Sequence, residues 1–225
     1  MINMHTQILD WVTNTGRVCS LLAVIVWVIF HRRFPQSFKY LGIYLIANLI
    51  IQFVAELMWQ KGQNNLPLLH VNTLLEFVFF TLFFKDIYLQ QEAFKKHVFL
   101  FIGGISLLLL INSIWFEPFF EMNSNARTLV QIIIIAYVVI YIFDVFGKIA
   151  LSENKAMSIS LICFVTLIYY AGSLSTFMLS DFIVAKRSGE TGMIWMINAS
   201  LYTIFQIIIL FSIMNIALQR FSPLS

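Results

Sequence analysis

Residues 40–59 read YLGIYLIANLIIQFVAELMW. Twenty residues at a rise of about 1.5 Å each make a helix roughly 30 Å long, the thickness of the hydrocarbon core of a bilayer. Only one of them, Glu56, is charged. The polar side chains Tyr44, Asn48, Gln52, Glu56 and, just past the end, Gln60 recur at every fourth position. Residues four apart share one face of a helix. The stretch therefore predicts a membrane-spanning helix with one polar face. That face must meet other helices, because polar groups turned to lipid are costly.

The same length criterion finds six further spans. The set is 13–30, 40–59, 68–88, 98–116, 127–146, 158–184 and 193–218. Turn-like sequences separate several of them: Phe34-Pro35-Gln36-Ser37, Gly62-Gln63-Asn64-Asn65, Glu117-Pro118 and Lys186-Arg187-Ser188-Gly189. None of the connections is long enough for a separate folded body. The expectation is an all-α polytopic membrane protein of seven transmembrane helices, a single transmembrane domain over residues 1–225. Met1 to Asp10 carries no basic residue, which argues against a cleaved signal peptide.

Composition supports this reading and excludes others. Hydrophobic residues make up 60% of the chain and charged ones only 11%, too few to coat a water-soluble globule. The formal charge of +3 does not mark a nucleic-acid partner, because the basic residues are scattered through short loops. Their distribution instead orients the chain. Arg32, Arg33, Lys39, Lys85, Lys95, Lys96, Lys148, Lys155 and Arg220 fall on one side, and Arg17, Lys61, Arg127, Lys186 and Arg187 on the other. Basic residues favour the cytoplasmic side. This places the N-terminus outside and the C-terminus in the cytoplasm, in a cell membrane, with the bacterial inner membrane expected.

Polar stripes recur on other spans. The third carries Asn72 and Glu76, the fifth Arg127 and Gln131, the sixth Tyr169, Ser173 and Asp181, and the seventh Asn198, Tyr202 and Gln206. The first carries Thr13 and Arg17. The fourth span is almost wholly apolar and reads as a peripheral connecting helix. Taken together, the stripes predict an outward-facing polar cavity between helix triplets. Its expected ligand-binding residues are Asn72, Glu76, Asn198 and Tyr202, with Asn48, Gln52, Glu56, Asp181, Arg17 and Arg127 around them. For any one amide or hydroxyl, hydrogen-bonded helix packing is the commoner role. A mid-membrane carboxyl such as Glu76 is a functional candidate by default. Arg17 and Arg127 lie near helix ends, where snorkelling to the interface is the plain alternative. Asp144 with Lys148 reads as an i,i+4 pair at a helix end.

Three functions fit this pattern. One is a carrier or sensor for a small polar or cationic ligand. A second is an intramembrane hydrolase acting on lipid, using the grouped carboxylates as acid and base. The third is a non-catalytic accessory subunit held to a membrane or cytoplasmic protein partner. Apart from the lipid bilayer and these partners none is expected. Enzyme activity is the less favoured reading, and no cofactor or metal site is expected. The last span has no lysine for a retinal Schiff base, and the four histidines do not gather as zinc ligands. No phosphate loop or nucleophile elbow occurs. Cys19 and Cys163 are expected as free thiols.

The first and last three spans can be aligned. Arg17 then falls opposite Arg127, and Tyr44, Asn48 and Glu56 fall opposite Tyr169, Ser173 and Asp181. Asn72, Leu75, Glu76 and Phe79 fall opposite Asn198, Leu201, Tyr202 and Phe205. This is a 3+1+3 parallel repeat, and its layout resembles the SWEET and PQ-loop transporters. The resemblance implies substrate contacts at Asn72 and Asn198. The chain departs from that family in having no proline within a span: Pro35, Pro67, Pro118 and Pro223 all lie outside. Through Asn72-Thr73-Leu74-Leu75-Glu76-Phe77 it also resembles small seven-helix membrane proteins of Bacteroidota, a likeness that implies no activity.

Overall fold

A computed structural model describes residues 4–87, 92–147, 153–178 and 191–219. Among the described residues there are seven α-helices and no strand: α1 Met4–Phe30, α2 Gln36–Gln60, α3 Leu66–Ile87, α4 Glu92–Trp115, α5 Ser124–Gly147, α6 Glu153–Met178 and α7 Thr191–Gln219. All seven are long and apolar enough to cross a membrane. α1 begins nine residues before the predicted span, because hydropathy marks only the part of a helix that lipid surrounds. Asp181, Lys148 and the turn at 186–189 lie outside the described residues.

Local chemistry sets the ends. A short 3-10 turn, His31–Arg33, closes α1, and Pro35 precedes α2 in extended backbone. Gly62 ends α2 at φ +68, the left-handed conformation that glycine adopts without strain. Gln63 N–H then donates back to Met58 O at 2.9 Å. Asn64 Oδ1 accepts from Leu66 N–H at 2.9 Å and opens α3, with Pro67 in the first turn, where its missing N–H costs nothing.

The helices gather into two compact units, Met1–Phe34 with Ile135–Ser225, and Pro35–Ile134. In the first unit, α7 packs along both α1 and α6. Gly16, Ser20 and Ala23 form a seam of small buried residues on α1. Such a seam lets two helices approach closely in lipid, where packing replaces the hydrophobic effect as the driving force. A Cβ placed on Gly16 would lie 2.8 Å from Thr203 Oγ1 and 3.4 Å from Thr203 Cα. Thr203 cannot easily yield, since its hydroxyl donates to Val12 O at 2.9 Å. On α6, a Cβ on Gly172 would meet the tip of the Leu201 side chain. Gly16→Ala is therefore expected to cost about 1–2 kcal/mol by overpacking. Gly103→Ala, on an open face of α4, should be neutral or slightly stabilising. Thermal unfolding of the two variants in detergent checks both.

In the second unit, α3 packs on both α2 and α4. α2 and α3 are antiparallel: Phe38 meets Phe83 at 6.0 Å between ring centroids and Tyr44 meets Phe80 at 5.3 Å. Leu41, Leu45, Phe77 and Phe84 complete this core. α4 touches α3 through Phe77–Phe101 and exposes Phe99, Leu100, Leu107, Leu108 and Ile114, as a helix facing lipid does. The first part of α5 contributes buried Ala126, Val130 and Ile134. Exposed Trp59, Trp115, Phe116 and Phe120 mark the end where α2 and α4 finish and α3 and α5 start. Aromatic rings favour the membrane–water interface.

Candidate functional site

The polar face of α2 becomes progressively more buried from its C-terminal end inward. Gln60 is exposed, Glu56 and Gln52 are half-buried, and Asn48 and Tyr44 are buried. The antiparallel register brings Tyr44 level with Glu76 of α3 and Asn48 one turn nearer the aromatic end. Tyr44 Oη donates to Glu76 Oε1 at 3.1 Å. On the other side of the carboxylate, Arg127 Nη1 lies 3.5 Å from Glu76 Oε2. The two charged side chains are 2% and 5% exposed, so this is a buried ion pair, and Arg127 turns inward rather than snorkelling outward. Gln131, one turn further along α5, is fully buried.

Asn123 positions the arginine. Its carbonyl accepts from Arg127 N–H at 2.9 Å, which makes it the residue that opens α5. Its side chain does not cap the helix. Asn123 Nδ2 donates to Thr73 Oγ1 at 2.8 Å and to Leu69 O at 3.3 Å, tying α5 to α3. Glu117 supplies the cap. Asn125 N–H donates to its Oε1 at 2.6 Å and Ala126 N–H to its Oε2 at 3.2 Å. A carboxylate there also meets the positive end of the helix dipole. Asn112 Nδ2 donates to Glu117 Oε2 at 2.5 Å and connects the cap to α4.

A second polar contact joins α3 to α4. His70 Nδ1 lies 2.8 Å from Ser113 Oγ, and Nε2 lies 3.2 Å from Glu121 O. A carbonyl only accepts, so His70 Nε2–H donates to Glu121 O, while Ser113 Oγ also donates to Leu109 O at 3.0 Å. Both side chains line an apolar recess of about 60 Å³ with Val71, Leu74, Leu109, Leu110 and Phe119. No group of three or more metal-ligating side chains occurs among the described residues. Cys19 and Cys163 are free thiols.

The sequence-predicted residues divide between the units. Asn48, Gln52, Glu56, Asn72, Glu76 and Arg127 lie in the second unit, where Glu76 and Arg127 meet directly. Arg17, Asn198 and Tyr202 lie in the first. Arg17 is half-buried there, Asn198 Oδ1 is buried without a donor, and Tyr202 packs its ring 5.8 Å from Tyr169. Asp181 is outside the described residues. The structure adds Tyr44, Thr73, Asn123 and Glu117 to the cluster. Tyr44 could have been found from its place on the α2 stripe. Asn123 and Glu117 could not, because their partners lie across a turn or on another helix.

Seven apolar helices of spanning length among the described residues make the chain a multi-pass membrane protein in architecture. No protein-family model, curated protein or solved structure matches it.

Proposed function

We propose that the chain binds a small polar ligand at the Tyr44–Glu76–Arg127 cluster, as a carrier or a sensor. One observation carries this reading. A column of polar side chains runs from exposed Gln60 down α2 to an ion pair that is almost completely buried. A buried ion pair is weak support for stability, since apolar residues of similar volume serve as well or better. Ionisable groups within a span mark ligand or ion pathways by default.

Within the second unit, Lys39, Lys85, Lys95 and Lys96 fall toward one end, and Lys61 and Arg127 toward the other. That asymmetry supports an outward-facing column, an external N-terminus and a cytoplasmic C-terminus in a cell membrane. Internal duplication in the manner of the SWEET and PQ-loop layout is part of the same proposal. In its support, the aligned pairs Tyr44–Glu76 and Tyr169–Tyr202 are each in contact within their own unit. In each unit, too, the opening helix of one triplet meets the closing helix of the other, α1 with α7 and α5 with α3.

The accessory-subunit reading draws support from the His70–Ser113 and Asn123–Thr73 bonds, which consume polar groups in helix packing. A thermal-shift screen separates the two. Detergent-purified wild type and Glu76→Gln are compared against small metabolites, inorganic cations and lipids. A compound that stabilises wild type by mass action but not the variant is the expected result. No shift with any compound, beside an equally stable variant, favours helix packing alone.

A further inference from the structure

The recess between α3 and α4 sets a hydroxyl against an imidazole. Ser113 Oγ lies 2.8 Å from His70 Nδ1, and His70 Nε2–H is held by Glu121 O at 3.2 Å. In a neutral imidazole a proton on Nε2 leaves a lone pair on Nδ1. Here that pair faces the hydroxyl. Ser113 Oγ–H has two acceptors in reach, Nδ1 and Leu109 O at 3.0 Å. Leu109 O is also the helix acceptor for the Ser113 backbone N–H, so the hydroxyl can turn to Nδ1 without stranding it. A nucleophile within hydrogen-bond reach of a base, with the base oriented by a third group, is the arrangement that activates a serine.

Its depth in the membrane says what it meets. His70 is in the second turn of α3 and Ser113 in the last turn of α4, at the end marked by exposed Trp115, Phe116 and Phe120. Aromatic rings gather at the boundary of headgroups and hydrocarbon, which is also where the ester groups of phospholipids lie. Both polar side chains are 6% exposed, whereas Val71 and Leu110 on the same recess are 45% and 46% exposed. The recess therefore opens sideways between two apolar helices. Its volume of about 60 Å³ has room for an ester carbonyl and the first carbons of a chain, while the rest of the lipid stays in the bilayer.

We propose that Ser113 and His70 are a catalytic pair that hydrolyses an acyl ester of a membrane lipid, independently of the ligand site around Glu76. Ser113 Oγ attacks the carbonyl carbon as its proton passes to His70 Nδ1. The ester C–O bond breaks, and the leaving alcohol oxygen takes that proton. A water then attacks the acyl-serine, Nδ1 accepts its proton and returns it to Ser113 Oγ, and a fatty acid is released. Glu121 O is a positioning group. A carbonyl fixes the tautomer of the imidazole but carries no charge to balance an imidazolium, as a carboxylate does. The pair therefore suits an ester, whose alkoxide leaves readily, rather than an amide.

The test treats the full-length protein in detergent with a long-chain alkyl fluorophosphonate and maps the adduct by peptide mass. Wild type, Ser113→Ala and His70→Gln are compared after each is shown to melt cooperatively. The expected result is an adduct on Ser113 of wild type, absent from Ser113→Ala and formed about 100-fold more slowly in His70→Gln, the scale of a lost general base. Wild type in phosphatidylcholine or phosphatidylglycerol vesicles should also release fatty acid, and Ser113→Ala should not. Because the adduct is mapped on wild type, the result does not depend on a variant that folds. Folded wild type without an adduct on Ser113 overturns the inference and leaves the pair as helix packing. An equal rate in His70→Gln overturns the role of the imidazole. An adduct without fatty-acid release from either vesicle overturns the lipid ester as substrate.

Discussion

Glu76→Ala is expected to destabilise the protein by about 3–5 kcal/mol, because it removes the carboxylate that faces the Arg127 guanidinium in a site that is 5% exposed. Arg127→Ala should cost a similar amount by removing the cation that faces the buried carboxylate. The double variant Glu76→Leu/Arg127→Met should lose far less than the sum, and could equal wild type, since an apolar pair of similar volume removes the desolvation cost of both ions. Thermal unfolding in one detergent provides the comparison, at roughly 2–4 °C per kcal/mol for a chain of this size. Additive losses would mean that the two charges do not interact. A double variant that is stable but no longer responds to ligand would separate the function of the pair from its structural role.

The second large effect is expected at Glu117. Its carboxylate accepts from Asn125 N–H, Ala126 N–H and the Asn112 side chain while only 7% exposed. Glu117→Ala leaves two amides of the first turn of α5 without their acceptor, at a cost of about 2 kcal/mol. Glu117→Gln keeps one side-chain oxygen and should cost about half as much. Hydrogen exchange at Asn125 and Ala126 should quicken in the alanine variant well before exchange in the middle of α5. Arg127 is in the same turn, so fraying there also loosens its contact with Glu76. Unchanged exchange at the two amides would contradict the assigned cap.

The seven helices were legible because each is an almost uninterrupted apolar run long enough to cross a bilayer, and only helices and closed barrels satisfy backbone polar groups in lipid. The stripe on α2 was legible for a related reason: four-residue spacing of polar groups in such a run has to face protein. Its gradient of burial from Gln60 to Tyr44 follows that spacing. Glu76 was marked by its cost in the membrane. What it pairs with was not legible. Arg127 lies near a helix start, where a long side chain reaches the interface as readily as the interior, and only packing decides between them. The Glu117 cap depends on the fold of the turn between α4 and α5, and Asn123 bonds to residues about fifty positions away in sequence. The division into units was also hidden, because α1 finds its main partner in α7, at the other end of the chain.

The central claim is that the polar column of α2 admits an aqueous solute as far as the Glu76–Arg127 pair. Asn48→Cys, in a chain with Cys19 and Cys163 replaced by serine, places a thiol on that column one turn from Tyr44. Ile50→Cys, on an exposed apolar face of the same helix, is the control. Both are treated in sealed vesicles with a small, charged, membrane-impermeant thiol reagent. The account predicts labelling of Asn48→Cys and not of Ile50→Cys, with Asn48→Cys protected by any ligand that stabilises wild type. An inert Asn48→Cys in a folded protein would contradict it and leave the stripe as helix packing.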